Sequence, residues 1–147
     1  MSYMPSDISS SHNNAHSDIR PIAELMSDLK AKMDLVFHHR ANIDQMETER
    51  GLPSFVVREI MSVNPLSVCI KQEYGGRGAL THEILQLLST TSYESLALCL
   101  TFGINAALFL QPFAKYGQEE VKAPVFKRFL EAQTMGGLMI TEPNFGS

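Results

Sequence analysis

Several residues of this chain have types and spacings that could do chemistry. His12 and His16 stand at an i, i+4 interval, which would set two imidazoles on one helix face for a metal ion. The surrounding segment has no helical apolar stripe and no nearby Cys, so no metal site is expected there. His38 and His39 are adjacent and point to different parts of a helix surface, which does not make a ligand pair. Cys69 and Cys99 stand alone, without a CxxC pair, and read as buried thiols in a reducing, cytoplasmic compartment. Gly76-Arg77-Gly78 follows a short apolar segment and precedes a helix, half of a dinucleotide-binding turn. Its third glycine is replaced by Thr81 and no GK[ST] ending follows, so a tight turn is the expectation rather than a phosphate cradle. Glu83, Glu94, Glu119 and Glu120 fall on helices or their caps and read as solvated charges rather than as acids or bases. Most informative is the end of the chain. From Gly136-Gly137 an apolar run reaches Thr141-Glu142-Pro143 and closes on Gly146-Ser147, a strand that turns sharply and carries two hydroxyls.

The elements that must position these residues are mostly helices. Residues 1–17 are rich in Ser, His and Asn and lack both the apolar core of a signal peptide and an Arg-rich amphipathic pattern, so a flexible tail is expected. From Asp18, Ile22, Leu25, Met26, Leu29, Met33, Val36, Phe37 and Ile43 recur at helical spacing, which predicts one long amphipathic helix ended by Gly51-Leu52-Pro53. Lys32 and His39 in its second seam favour packing on a globular core over a coiled coil. A shorter helix through Val56, Ile60 and Val63 stops at Asn64-Pro65. Leu66 to Ile70 reads as extended. Further helices are expected over about 81–88, from Ser92 to the region of Tyr116, and from Gly117-Gln118-Glu119-Glu120 through Leu130, with Pro124 in or near the first turn of the last. No internal repeat is visible.

Composition narrows the function classes. The chain has 147 residues, 44% of them hydrophobic, enough for one ordinary core. A formal net charge of -4 with mixed signs offers no basic stripe for a phosphate backbone, so nucleic-acid binding is not expected. Residues 95–114 carry no charge over a length close to the roughly 20 residues that cross a bilayer. Thr101, Gly103, Asn105, Gln111 and Pro112 interrupt this run, so the expectation is a buried central helix without stable membrane insertion.

Taken together, three segments resemble one family. Glu73-Tyr74-Gly75-Gly76-Arg77-Gly78, reached through Leu66-Ser67-Val68-Cys69-Ile70, is similar to an Ile-Pro-x-Glu-Tyr-Gly-Gly-x-Gly pattern of acyl-CoA dehydrogenases. Gly137-Leu138-Met139-Ile140-Thr141-Glu142-Pro143-Asn144-Phe145-Gly146-Ser147 resembles that family's flavin-binding strand and turn. Between them, Lys115-Tyr116-Gly117-Gln118-Glu119-Glu120-Val121-Lys122 is similar to its linker into the last helix before that strand. The resemblance covers roughly Ile22 to Ser147. Lys71 stands where the family usually has Pro, and Asn144-Phe145 replaces a commonly smaller pair.

The resemblance implies a mainly α fold class: residues 18–135 as the family's N-terminal helical domain, and residues 136–147 as the first strand of a truncated middle β domain. It implies FAD at the domain junction and α,β-dehydrogenation of an acyl-CoA thioester, with a carboxylate taking the α proton and hydride leaving the β carbon for flavin N5. Leu138, Met139, Ile140, Thr141, Gly146 and Ser147 are the implied cofactor contacts. Ser147 also reaches toward the acyl-CoA, and Glu142 and Pro143 shape the turn. The catalytic carboxylate is expected in a missing C-terminal part, which makes the chain inactive alone. An electron acceptor of unspecified identity and a homo-oligomeric parent complete the implied partners. The alternative is a stand-alone helical interaction module without catalytic activity.

Overall fold

The computed structural model describes residues 21–137. Among them the chain is helix, turn and coil with no strand, as expected of a mainly α domain. The expected tail over 1–17, with His12 and His16, and the strand from Leu138 onward lie outside the described residues.

The first helix is broken where one long helix was expected. α1 (Ile22–Asp34) buries Leu25, Met26, Leu29 and Met33, then widens into a π-helical turn (Leu35–Arg40) in which Ala41 N–H donates to Val36 O at 2.7 Å. The extra residue in this turn lets the adjacent Val36 and Phe37 both face the core. A separate helix α2 (Ile43–Glu49) then begins, capped by Asn42, whose side chain accepts from Gln45 N–H at 3.1 Å. Ile43 belongs to α2 and is exposed, so it does not continue the stripe of α1. α3 (Ser54–Met61) follows Pro53 and buries Val56, Ile60 and Met61.

The segment read as extended is a 3-10 helix (Pro65–Cys69), and a second short 3-10 turn spans Gln72–Tyr74. Asn64 enters at φ 54°, and Ser67 Oγ donates back to Asn64 O at 2.6 Å, tightening the coil into a helical rather than an extended path. α4 (Thr81–Glu94) is longer than expected. It runs to Glu94 because Ser95, extended at φ -156° and accepting from Leu98 N–H at 3.3 Å, is the cap between helices.

A single helix then covers Leu96–Tyr116, built of α5 (Leu96–Ile104), a second π-helical turn (Asn105–Leu110) and α6 (Gln111–Tyr116). α7 (Glu119–Ala132) closes the described domain, with Pro124 just beyond the first turn. One apolar cluster joins Leu25, Leu29 and Val36 to Val56, Ile60, Leu66, Leu87, Phe102, Leu110 and Phe126. Outside it, Glu59 of α3 meets Arg40 at 3.1 Å and Lys32 at 3.5 Å, binding α3 to α1 and its π turn.

The uncharged helix, expected to be a buried central one, is buried on one face. Leu98, Phe102, Asn105, Ala106 and Leu110 form its buried face, and only 28% of its most apolar window is inside the domain. By length and composition alone it is apolar enough to cross a membrane.

Candidate functional site

Near the end of the described residues, Gly136 is held by Asn105. An Asn in an uncharged helix must satisfy its amide or carry a desolvation cost of roughly 1–3 kcal/mol. Asn105 is 3% exposed and uses both ends: Nδ2 donates to Thr101 O at 2.8 Å, and Oδ1 accepts from Gly136 N–H at 2.7 Å. It opens the π turn, in which Gln111 N–H donates to Ala106 O. One turn on, the Phe109 ring occupies the place a side chain at 136 would take. A Cβ on Gly136 would lie 2.3 Å from Phe109 Cδ1, so only glycine enters. That ring is held in turn by Phe113 and Phe129, with centroids 5.9 and 5.8 Å away. At Gly137, by contrast, a Cβ would meet nothing within 4 Å.

Another face of the same helix is uncovered. Leu96, Leu100, Ile104 and Leu108 lie at successive i+4 positions, and all are exposed. They make a continuous apolar ridge on the helix side away from the core. Such a ridge can cover an apolar ring, an acyl chain or another domain. It carries no group that moves a proton.

The Tyr-Gly-Gly segment is a structural turn. Arg77 N–H donates to Ser67 O at 2.8 Å, Gly78 N–H to Ile70 O at 2.8 Å and Ala79 N–H to Val68 O at 2.9 Å, folding the turn back on the 3-10 helix. Arg77 Nε also donates to Ser67 Oγ at 3.1 Å. At Gly76 a Cβ would lie 2.1 Å from Ile70 O, so close backbone approach explains that glycine. These amide groups are spent inside the protein, which removes them as a phosphate cradle. Between this turn, α4 and α6 lies an open cavity of about 530 Å³, lined in part by Val68, Ile70 and Ile84, with Lys71, Thr81, Gln111 and Lys115 as polar groups.

The titratable groups carry structural roles. Glu83 accepts from Leu80 N–H at 2.7 Å and caps α4. Glu94 meets His38 at 2.9 Å, while His39 turns toward Asp34 at 3.8 Å, so the two histidines diverge as expected. Glu119 pairs with Lys122 at 2.8 Å. Arg40 beside Glu59 holds its carboxyl below the usual range, with Lys32 adding to the effect. Glu73 beside Lys71 pushes that ammonium up. Burial pushes the Cys69 thiol up to about 11, which makes it a poor nucleophile at neutral pH. Among the described residues no group of three or more His, Cys, Asp or Glu could hold a metal ion, and Cys69 and Cys99 are free thiols.

Leu138, Met139, Ile140, Thr141, Gly146 and Ser147 lie outside the described residues, as do Glu142 and Pro143. What the structure shows ahead of them is Gly136 bonded to Asn105. In the sequence, Asn105 stands out only as an interruption of an apolar run. The usable signal was the cost of an amide in such a run, which requires a specific partner.

Residues 34–133 match the family model described as acyl-CoA dehydrogenase, N-terminal domain. Among curated proteins, the chain is similar to the mitochondrial isovaleryl-CoA dehydrogenase of Bos taurus, 26% identical over 105 residues that make up 71% of this chain. The chain spans 24% of the length of that relative. No solved structure matches.

Proposed function

Because the chain belongs to the acyl-CoA dehydrogenase family and carries its N-terminal domain, we propose that it is the opening part of a flavin-dependent enzyme that α,β-dehydrogenates acyl-CoA thioesters. The oxidoreductase class follows from the family. The observation that carries the finer reading is the 2.7 Å bond from Gly136 N–H to Asn105 Oδ1, which fixes the start of the Gly-Leu-Met-Ile-Thr-Glu-Pro segment just past the matched domain. In this reading residues 18–135 are the helical domain, residues 1–17 a flexible tail and residues 136–147 the start of a β domain.

The surroundings of that bond fit FAD. Gly137 has open space on its side-chain side, and the helix that carries Asn105 leaves Ile104 and Leu108 exposed. When bound, FAD supplies the acceptor for the hydride that leaves the β carbon of the acyl group. A hydroxyl and backbone N–H groups held against such a ring would stabilise the charge that hydride acceptance brings. Thr141 would offer that hydroxyl, and the backbone at Leu138, Met139 and Ile140 would line the ring. Gly146 would allow close approach, and Ser147 would donate near both cofactor and acyl-CoA. The carboxylate that removes the α proton is assigned to no residue of this chain, so the 147 residues alone do not turn over. The electron acceptor and a homo-oligomeric parent belong to the same reading.

Free Cys69 and Cys99 support a reducing compartment, cytoplasmic in our proposal, although the bovine relative is named mitochondrial. The ridge from Leu96 to Leu108 also suits a stand-alone helical interaction module, the second reading. Titrating the 147-residue chain with FAD, followed by isovaleryl-CoA, tests the proposal. Weak binding without bleaching of the flavin band is expected. Stoichiometric binding with acyl-CoA-dependent bleaching overturns the claim that the chain is inactive alone, and complete indifference to FAD favours the module.

A further inference from the structure

We propose that the open cavity between the Tyr-Gly-Gly turn, α4 and α6 binds a small amphipathic monoanion, an apolar body that ends in a single carboxylate. The site is built from described residues alone and is independent of the flavin reading.

The cavity holds about 530 Å³, within the roughly 300–1,000 Å³ of small-molecule sites. Val68 and Ile70, 2% and 1% exposed, supply an apolar base, and Ile84 of α4 lines it with them. Gly78, Ala79 and Ala114 carry little or no side chain, which leaves the space open. Among the described residues of the lining none is acidic, and the two charged groups, Lys71 and Lys115, are both cations.

The other polar groups of the lining are donors without acceptors. Gln111 and Lys115 lie four residues apart on one face of α6, and Thr81 adds a hydroxyl from the first turn of α4. Among the described residues the Thr81 hydroxyl and the Gln111 amide have no hydrogen-bond partner, and Lys115 meets no carboxylate. The Lys115 ammonium lies 5.0 Å from the centre of the Tyr116 ring. A carboxylate can accept from all three groups, and its bond to the ammonium is the strongest of them.

Charge decides between a monoanion and a dianion. Glu73 compensates Lys71 at 3.1 Å, and Glu119, whose field also reaches Lys71, is itself paired with Lys122 at 2.8 Å. What remains uncompensated is the single charge of Lys115. It matches one carboxylate rather than a doubly charged phosphate, and the apolar base favours a body that acetate lacks.

The test is an NMR titration of the 15N-labelled 147-residue chain with octanoate, compared with octanol, acetate and octyl phosphate. Octanoate is expected to give saturable shifts at Gly78, Ala79, Thr81 and Ile84, with a dissociation constant of about 1 mM or below. Octanol, which lacks the charge, and acetate, which lacks the body, are each expected to bind about fivefold more weakly or worse. Octyl phosphate is expected to bind no more tightly than octanoate. Lys115→Gln should weaken octanoate about fivefold and leave octanol unchanged, while Lys115→Arg should retain octanoate.

The absence of saturable shifts overturns the proposal, as does octanol or acetate binding as tightly as octanoate. Tighter binding of octyl phosphate, or an unaltered octanoate affinity in Lys115→Gln, overturns the assignment of a monoanion to Lys115. Shifts centred on Leu100, Ile104 and Leu108 overturn it as well, because they place the ligand on the exposed ridge. Should Lys115→Gln fail to fold, the comparison of the four compounds on the wild-type chain decides. No FAD enters these titrations, so their failure leaves the flavin reading untouched.

Discussion

Tyr74 lays its ring on Phe126 with centroids 5.0 Å apart, and Phe126 meets Phe113 edge-on at 5.3 Å. The Tyr-Gly-Gly turn is thereby pinned to α7 and α6, on the buried side of the domain. A segment that looked like half of a nucleotide-binding turn is a packing element. Tyr74→Ala should lower stability by about 2–4 kcal/mol in urea unfolding, in the range of a large aromatic truncation. A loss below about 0.5 kcal/mol would show that the ring contributes little.

Gly76 gives a sharper test of the same turn. Gly76→Ala places a Cβ against Ile70 O at 2.1 Å, a backbone atom that cannot step aside. The variant should lose about 3 kcal/mol or more or fail to fold. Wild-type stability in Gly76→Ala, measured by thermal unfolding, would mean that the turn is built differently.

The ion pairs at Glu59 predict a pH dependence of definite sign. Arg40, and then Lys32, hold the folded carboxyl below its ordinary value of 4.5. A depressed folded pKa contributes stability that is present above the unfolded value and lost as pH falls through the folded one. Glu59→Gln should therefore melt lower than wild type at neutral pH, and the gap should close as the solution is acidified below the carboxylate range. Because the group is solvent-accessible, the gap should also shrink with added salt. A gap that widens on acidification would reverse the assigned cause.

Cys69 titrates in the opposite sense. Its thiol is raised from 9.0 to about 11 by burial, so the neutral form suits the fold. That contribution is complete below the unfolded pKa and lost as pH rises through the folded one. Alkylation with iodoacetamide at neutral pH should be slow in the folded chain and accelerate on unfolding in urea, with mass spectrometry reporting the site. Labelling of Cys69 at the rate of an unfolded thiol would contradict its burial.

Much of the fold was legible in the sequence because helical stripes and caps are local. Leu25, Leu29, Val56 and Ile60 follow from spacing alone, and all are in the core. The break at Ala41 was legible in principle, since Asn42 followed by Gln45 is a capping pattern, but the interval from Val36 to Ile43 ran across it. The π turns were not legible, because an extra residue per turn leaves no mark in composition and depends on which side chains the core accepts. Pro65 to Cys69 misled because a short apolar run does not distinguish a buried coil from a strand. The family motifs pointed to residues 138–147, whereas Asn105, which anchors their start, shows its role only once a partner distant in sequence is in place.

We propose that the segment following Gly136 is one wall of a flavin site. The most direct measurement is an NMR titration of the 15N-labelled chain with FAD. Shifts should cluster at Leu138–Ser147 and at Ile104 and Leu108, and should weaken in Thr141→Ala and Ser147→Ala. Shifts absent from that segment, or centred instead on the Tyr74–Gly78 turn, would contradict it.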